Sequence, residues 1–79
     1  MTIRMLGTTW CGDCQRAKAF LSDHGVAYEW VDIELDPAAA AEVEARNGGR
    51  RVVPTILFDD GAVLVEPSDE QLARQVGLV

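Results

Sequence analysis

Trp10-Cys11-Gly12-Asp13-Cys14 follows the apolar stretch Ile3-Arg4-Met5-Leu6 and opens a segment of helical character from Gln15 to His24. It holds both cysteines of the chain, separated by two residues. Cys-x-x-Cys placed after a strand and at the first turn of a helix is a thiol-redox arrangement. A helix N-terminus carries unpaired N–H groups and partial positive charge, which favour an anion, so Cys11 is the candidate thiolate nucleophile. Cys14, one helical turn on, is placed to close a disulfide with it. The rival readings fail on ligand count and loop length. Structural zinc needs four Cys or His ligands, and the chain offers two cysteines and one distant histidine, His24. A bridge over two intervening residues closes too short a loop to staple a fold. One metal reading stays open: two chains sharing an iron–sulfur cluster through their thiolates, as a non-enzymatic cluster carrier.

The 79 residues read as one small domain, 1–79, with 48% hydrophobic and 25% charged residues, a folded rather than a disordered composition. A formal net charge of −6 does not favour nucleic acid or an anionic membrane surface as partner. No apolar run approaches the ~20 residues of a membrane span, and Met1-Thr2-Ile3-Arg4 lacks signal-peptide form. The expectation is a cytoplasmic protein whose cysteines cycle in a reducing compartment.

Thr2 to Gly7 is predicted as the first strand and Cys11 to His24 as the first helix, with Cys14, Ala17, Phe20 and Leu21 on one face. Gly25 is its natural stop. Ala27 to Asp32 is the second strand, parallel to the first through a right-handed crossover. Asp36 as N-cap and Pro37 at the first helical position open a second helix through Ala38 to Arg46, ended by Asn47-Gly48-Gly49. Thr55–Phe58 and Ala62–Val65 form a hairpin across Asp60-Gly61. Ser68 caps a third helix, Gln71 completes a capping box, and Leu72 and Val76 supply the buried stripe. Strand, helix, strand, helix, strand, strand, helix is the minimal thioredoxin-like order of an α/β fold.

With Trp10-Cys11-Gly12-Asp13-Cys14 followed later by Arg51-Val52-Val53-Pro54-Thr55, the chain resembles the glutaredoxins. Within that family it is most similar to the mycoredoxin branch, which works with mycothiol. The likeness extends over Thr8-Thr9, Val31-Asp32-Ile33-Glu34, Asn47-Gly48-Gly49 and Pro67-Ser68. It implies a glutaredoxin fold: a four-stranded mixed sheet in the order 2-1-3-4, with three helices on its two faces. It also implies that Pro54 is a cis-proline facing the cysteines and that Val53 offers its backbone to the bound thiol. Trp10, Asp13, Arg51, Ser68 and Asp69 are then the candidates to line the thiol site. Gly12-Asp13 stands where the family usually has Pro-Tyr, Val52 where it usually has Thr, and Glu66-Pro67-Ser68-Asp69 in place of its Gly-Gly…Asp stretch. These departures point away from glutathione.

The resemblance implies a monomeric enzyme that reduces mixed disulfides between proteins and a low-molecular-weight thiol, mycothiol rather than glutathione. Cys11 attacks, Cys14 resolves, and a flavin-dependent disulfide reductase recycles the system through the thiol or directly. No bound metal or organic cofactor is required. The alternative within redox chemistry is a dithiol electron donor to ribonucleotide reductase, recharged by thioredoxin reductase. Such redoxins typically carry Trp-Ser-Gly-Phe-Arg-Pro near the third helix, where this chain reads Val65-Glu66-Pro67-Ser68-Asp69.

Overall fold

Ile3–Gly7 forms the first strand, β1, in the computed structural model, which describes residues 2–78. Successive side chains of a strand face opposite ways, and β1 buries both sides. Ile3 and Met5 enter one apolar cluster, and Leu6 enters another. Thr55–Phe58, the strand β3, does the same, with Ile56 and Phe58 in the first cluster and Leu57 in the second. Strands buried on both faces read as near-continuous apolar runs, which is why these two segments stand out in the sequence.

Gly12–Asp23 (α1) and Asp69–Gln75 (α3) cover the first face with Ala17, Leu21 and Leu72, while Pro37–Arg46 (α2) covers the other with Ala39, Ala40 and Val43. Glu29–Asp32 (β2) and Val63–Val65 (β4) complete a sheet in the order β2-β1-β3-β4. The β1–β2 pair is parallel, with Leu6 opposite Val31, and the β1–β3 and β3–β4 pairs are antiparallel. This is the thioredoxin-like glutaredoxin fold that the resemblance implies.

The helix caps are those read from the sequence. The Asp36 carboxylate accepts the Ala39 N–H at 3.1 Å, with Pro37 following it, and Ser68 and Gln71 form a reciprocal capping box. Gly25, at φ 68°, takes the left-handed step after α1. Some details differ from expectation. β1 begins at Ile3 and β2 only at Glu29. Cys11 is the N-cap of α1 rather than its first helical residue. The hairpin loop is, as expected, the three residues Asp59 to Gly61: the Phe58 N–H donates to the Ala62 carbonyl at 3.0 Å, and Gly61 takes φ 92°. β4 begins at Val63 rather than Ala62. Phe20 is only half-buried on the α1 face.

Candidate thiol site at the end of β1

The β1–β3 register sets Leu6 opposite Thr55, so the chain leaving β1 meets the chain entering β3. The segment Thr8–Cys11 therefore faces Arg51–Pro54. The Val53–Pro54 peptide is cis. Cys11 Sγ lies 3.8 Å from the Val53 carbonyl oxygen. As N-cap, Cys11 takes an extended backbone, and its sulfur accepts the Cys14 backbone N–H at 3.3 Å. A side-chain acceptor at this position satisfies one of the orphan donors of the first turn. The same bond holds the sulfur against the positive end of the helix.

The two thiols, both free, live in different media. Cys11 is half-buried, whereas Cys14 is fully buried. Burial first of all pushes the Cys14 thiol up, to about 12. A hydrogen bond from the Thr8 backbone works against this, and the Cys11 sulfur and the Asp13 charge add to it. Room for Cys14 comes from Gly7: a Cβ there would sit 2.5 Å from Cys14 Sγ and 3.0 Å from the Trp30 ring. Lys18 covers that ring, with Nζ 4.1 Å from its centroid.

Beside Cys11 runs a groove of about 100 Å³ lined by Thr8, Trp10, Ile33, Glu34, Arg51 and Val53. Ile33 and Glu34 reach it because the Ile33 N–H donates to the Gly7 carbonyl at 3.0 Å, extending the β1–β2 pairing by one step. Trp10 is 72% exposed, and its indole N–H donates to Glu34 at 3.0 Å. Arg51 donates to Glu44 at 2.8 Å. Thr8 is buried, and its Oγ1 has no hydrogen-bond partner among the described residues.

A second cluster centres on Arg16. Its guanidinium donates to Asp69 at 2.6 Å and to the Pro67 carbonyl at 2.8 Å, and it lies 3.5 Å from Asp13. Arg16 thus ties the start of α1 to the start of α3. Ser68 spends its hydroxyl on the α3 cap. A larger hollow of about 240 Å³, lined by Thr2, Ile3, Ala27, Tyr28 and Glu29, lies at the start of β1, the end opposite the cysteines.

Of the residues singled out in the sequence, Trp10, Arg51 and Val53 come together in the groove, with Cys11 and Pro54 beside it. Asp13 and Asp69 come together through Arg16. Thr8, Ile33, Glu34 and Arg16 were not singled out as site residues. Parallel strands end side by side, and ligands of such sheets lie outside their carboxyl ends. Ile33-Glu34, just past β2, is on that ground recoverable from topology. Nothing in the local sequence marks Arg16.

A buried thiol and a half-buried N-cap thiol facing a Val–Pro turn are equipped for thiol–disulfide exchange. A glutaredoxin family profile matches residues 2–63. A protein of Mycobacterium tuberculosis provisionally named as a glutaredoxin is 48% identical over 69 residues, 87% of this chain and 82% of the relative. Mycoredoxin 1 of Corynebacterium glutamicum is 31% identical over 74 residues, 94% of this chain and 91% of the relative. Among solved structures, the glutaredoxin-like NrdH-redoxin of Escherichia coli superposes with a TM-score of 0.82 at 22% identity, covering 94% of this chain and 93% of the other, a likeness of fold. Matched through the cysteine turn, the Val–Pro turn and the sheet between them, the chain belongs to the glutaredoxin family, whose members are thiol–disulfide oxidoreductases.

Proposed function

We propose that the chain, acting as one monomeric domain over residues 1–79 in the cytoplasm, reduces mixed disulfides between proteins and mycothiol, with Cys11 as nucleophile and Cys14 as resolving thiol. The observation that carries this reading is the asymmetry of the pair. Cys11 is accessible and hydrogen-bonded by a helix N-terminus, while Cys14 is fully buried with its thiol raised to about 12. The Cys11 thiolate attacks the mycothiol sulfur of the mixed disulfide. One S–S bond breaks, one forms, and the protein sulfur leaves as a thiolate that takes a proton from solvent. A second mycothiol thiolate then attacks the Cys11-bound sulfur. This frees Cys11 and yields mycothiol disulfide, which a flavin-dependent reductase returns to the thiol.

Val53 and Pro54 present the edge along which the incoming thiol aligns, as in strand addition. Trp10 and Arg51 line the groove, and Asp13, Ser68 and Asp69 border the helix ends. Mycothiol rather than glutathione is supported by the similarity to Mycoredoxin 1. Charge supports it too. Arg16 and Arg51 are already held by Asp69 and Glu44, and the whole chain carries −6, a poor setting for a thiol bearing carboxylates.

For a substrate joined by an internal protein disulfide, Cys14 must attack Cys11. Once Cys11 is covalently engaged, it no longer acts on Cys14 as a neighbouring thiolate. Burial and Asp13 then remain as the causes that raise Cys14. Cys14 thereby becomes a better nucleophile at the step that needs it.

The experiment is a matrix of two variants on two substrates. Cys11→Ser should lose all exchange. Cys14→Ser should retain most activity on a mycothiol–protein mixed disulfide and lose at least tenfold on a protein disulfide. A Cys14→Ser enzyme dead on the mixed disulfide would replace this reading with a dithiol electron donor.

A further inference from the structure

Cys14 is the thiol that must turn on Cys11 to release a protein substrate, and beside it stands a ring that the exchange chemistry leaves unused. Trp30 lies opposite Met5 in the parallel β1–β2 pair, and its ring reaches along the sheet to Gly7. A Cβ at Gly7 would sit 2.5 Å from Cys14 Sγ, 3.0 Å from Trp30 Cη2 and 3.1 Å from Trp30 Cζ3. The sulfur and the ring edge therefore share the space that any other side chain at position 7 would fill. Lys18, one turn beyond Cys14 on α1, lays its Nζ over the same ring, 4.1 Å from the centroid. Lys18 is half-buried and makes no ion pair with a carboxylate among the described residues. Its charge is directed at the ring face instead.

We propose that Trp30, pinned by Lys18, is the positioning residue of the resolving thiol: its ring closes the β2 side of the Cys14 pocket and keeps the sulfur turned toward Cys11. The inference rests on the reading of Cys14 as resolving thiol and says what aims it. A cysteine side chain has three staggered positions, and its small sulfur turns into a neighbouring void where one is open. On the β1 side the backbone of Gly7 and Thr8 bounds the sulfur, and toward β2 the ring edge does. Without the ring, the sulfur gains a space to rotate into and water gains access to it. The step served is a single exchange. Cys14 gives its proton to solvent on the Cys11 side and attacks the Cys11 sulfur. The bond from Cys11 to the substrate sulfur breaks, the Cys11–Cys14 bond forms, and the substrate leaves as a thiolate that takes up a proton. An intramolecular attack of this kind owes its advantage to orientation, which a fixed wall supplies. Cys11 and Asp13 act on the Cys14 charge from α1 itself, while the Lys18 ammonium faces it across the ring.

The test measures how strongly Cys14 competes with a free thiol for Cys11, an equilibrium that catalytic rate does not enter. Reduced protein is equilibrated with N-acetylcysteine and its disulfide, then quenched in acid. Mass spectrometry counts the internal Cys11–Cys14 disulfide against the Cys11–N-acetylcysteine mixed disulfide. That ratio, multiplied by the N-acetylcysteine concentration, is the effective concentration of Cys14. We expect Trp30→Ala to lower it at least about tenfold, and Trp30→Phe, which keeps a ring, to restore it to within about threefold of the parent. Lys18→Met, which keeps the stem and loses the charge, should lower it about threefold, and Lys18→Arg, which also stacks on an aromatic face, should not. In a Cys11→Ser background, Trp30→Ala should also speed alkylation of Cys14 by iodoacetamide about tenfold, the mark of an opened pocket. Melting temperatures identify any variant that does not fold; should Trp30→Ala be one, the Lys18 pair decides. An effective concentration within about twofold of the parent in folded Trp30→Ala, or in Lys18→Met where that pair decides, overturns the inference and leaves Cys14 as the resolving thiol. A parent that forms the mixed disulfide but no internal disulfide overturns both.

Discussion

Cys14 is a thiol in an apolar place, and that has a measurable consequence apart from activity. Its folded-state pKa is raised, so the folded chain keeps a proton that the unfolded chain releases. The resulting stabilisation is fully present below the unfolded thiol's pKa and is lost as pH rises toward about 12. Between about pH 9 and about 11, the stability of the reduced protein should fall relative to Cys14→Ala, by up to about 1.4 kcal/mol per pH unit. Denaturant melts of both proteins in reductant, taken at several pH values, give the difference curve. A flat difference would mean that Cys14 meets water in solution. The sequence makes Cys14 legible as the inner cysteine through its place in the helical stripe with Ala17 and Leu21. It does not reveal Gly7 as the residue that makes room for the sulfur, because that contact joins a strand to a helix and exists only after packing.

The elements were legible where local chemistry decides them. The Asp36-Pro37 start, the Ser68–Gln71 box and the Gly25 stop are written in residues adjacent to the features they build. Less legible was the segment from β4 into α3. Glu66 sits at φ 49°, a left-handed conformation that glycine adopts freely and most residues avoid. It is held there because its N–H donates to the Pro54 carbonyl at 2.9 Å, while Pro67 and Ser68 begin the next cap. Glu66→Gly should therefore stabilise the fold by about 1 kcal/mol, the cost of the left-handed state less glycine's greater freedom when unfolded. For a domain of this size that is a rise in melting temperature of a few degrees, about 4–8 °C. A lower melting temperature would show that the Glu66 side chain holds this turn more strongly than its backbone opposes it. The groove was half legible: Trp10 and Val53 flank the sequence motifs, whereas Thr8 and Glu34 join them only through the parallel ends of β1 and β2.

At the scale of the whole molecule, charge is the property that reaches furthest from the site. The chain carries −6, and the arginines nearest the cysteines are engaged by carboxylates of the chain itself, Arg16 by Asp69 and Arg51 by Glu44. An approaching anion therefore meets a net repulsive field, whereas an uncharged disulfide meets none. Salt screens such fields over a Debye length of about 10 Å at 0.1 M, so the two cases separate by their salt dependence. The second-order rate of reduced protein with glutathione disulfide should rise about two- to fivefold between ~20 mM and ~300 mM potassium chloride. With mycothiol disulfide the rate should change by less than about 1.5-fold over the same range. Stopped-flow tryptophan fluorescence can follow both, since Trp10 and Trp30 lie beside the reacting pair. Viscosity and pH are matched across the series so that only screening varies. A glutathione rate that falls with salt would mean an attractive local field at Cys11, with Arg16 or Arg51 released to the ligand. The charge argument against glutathione would then collapse.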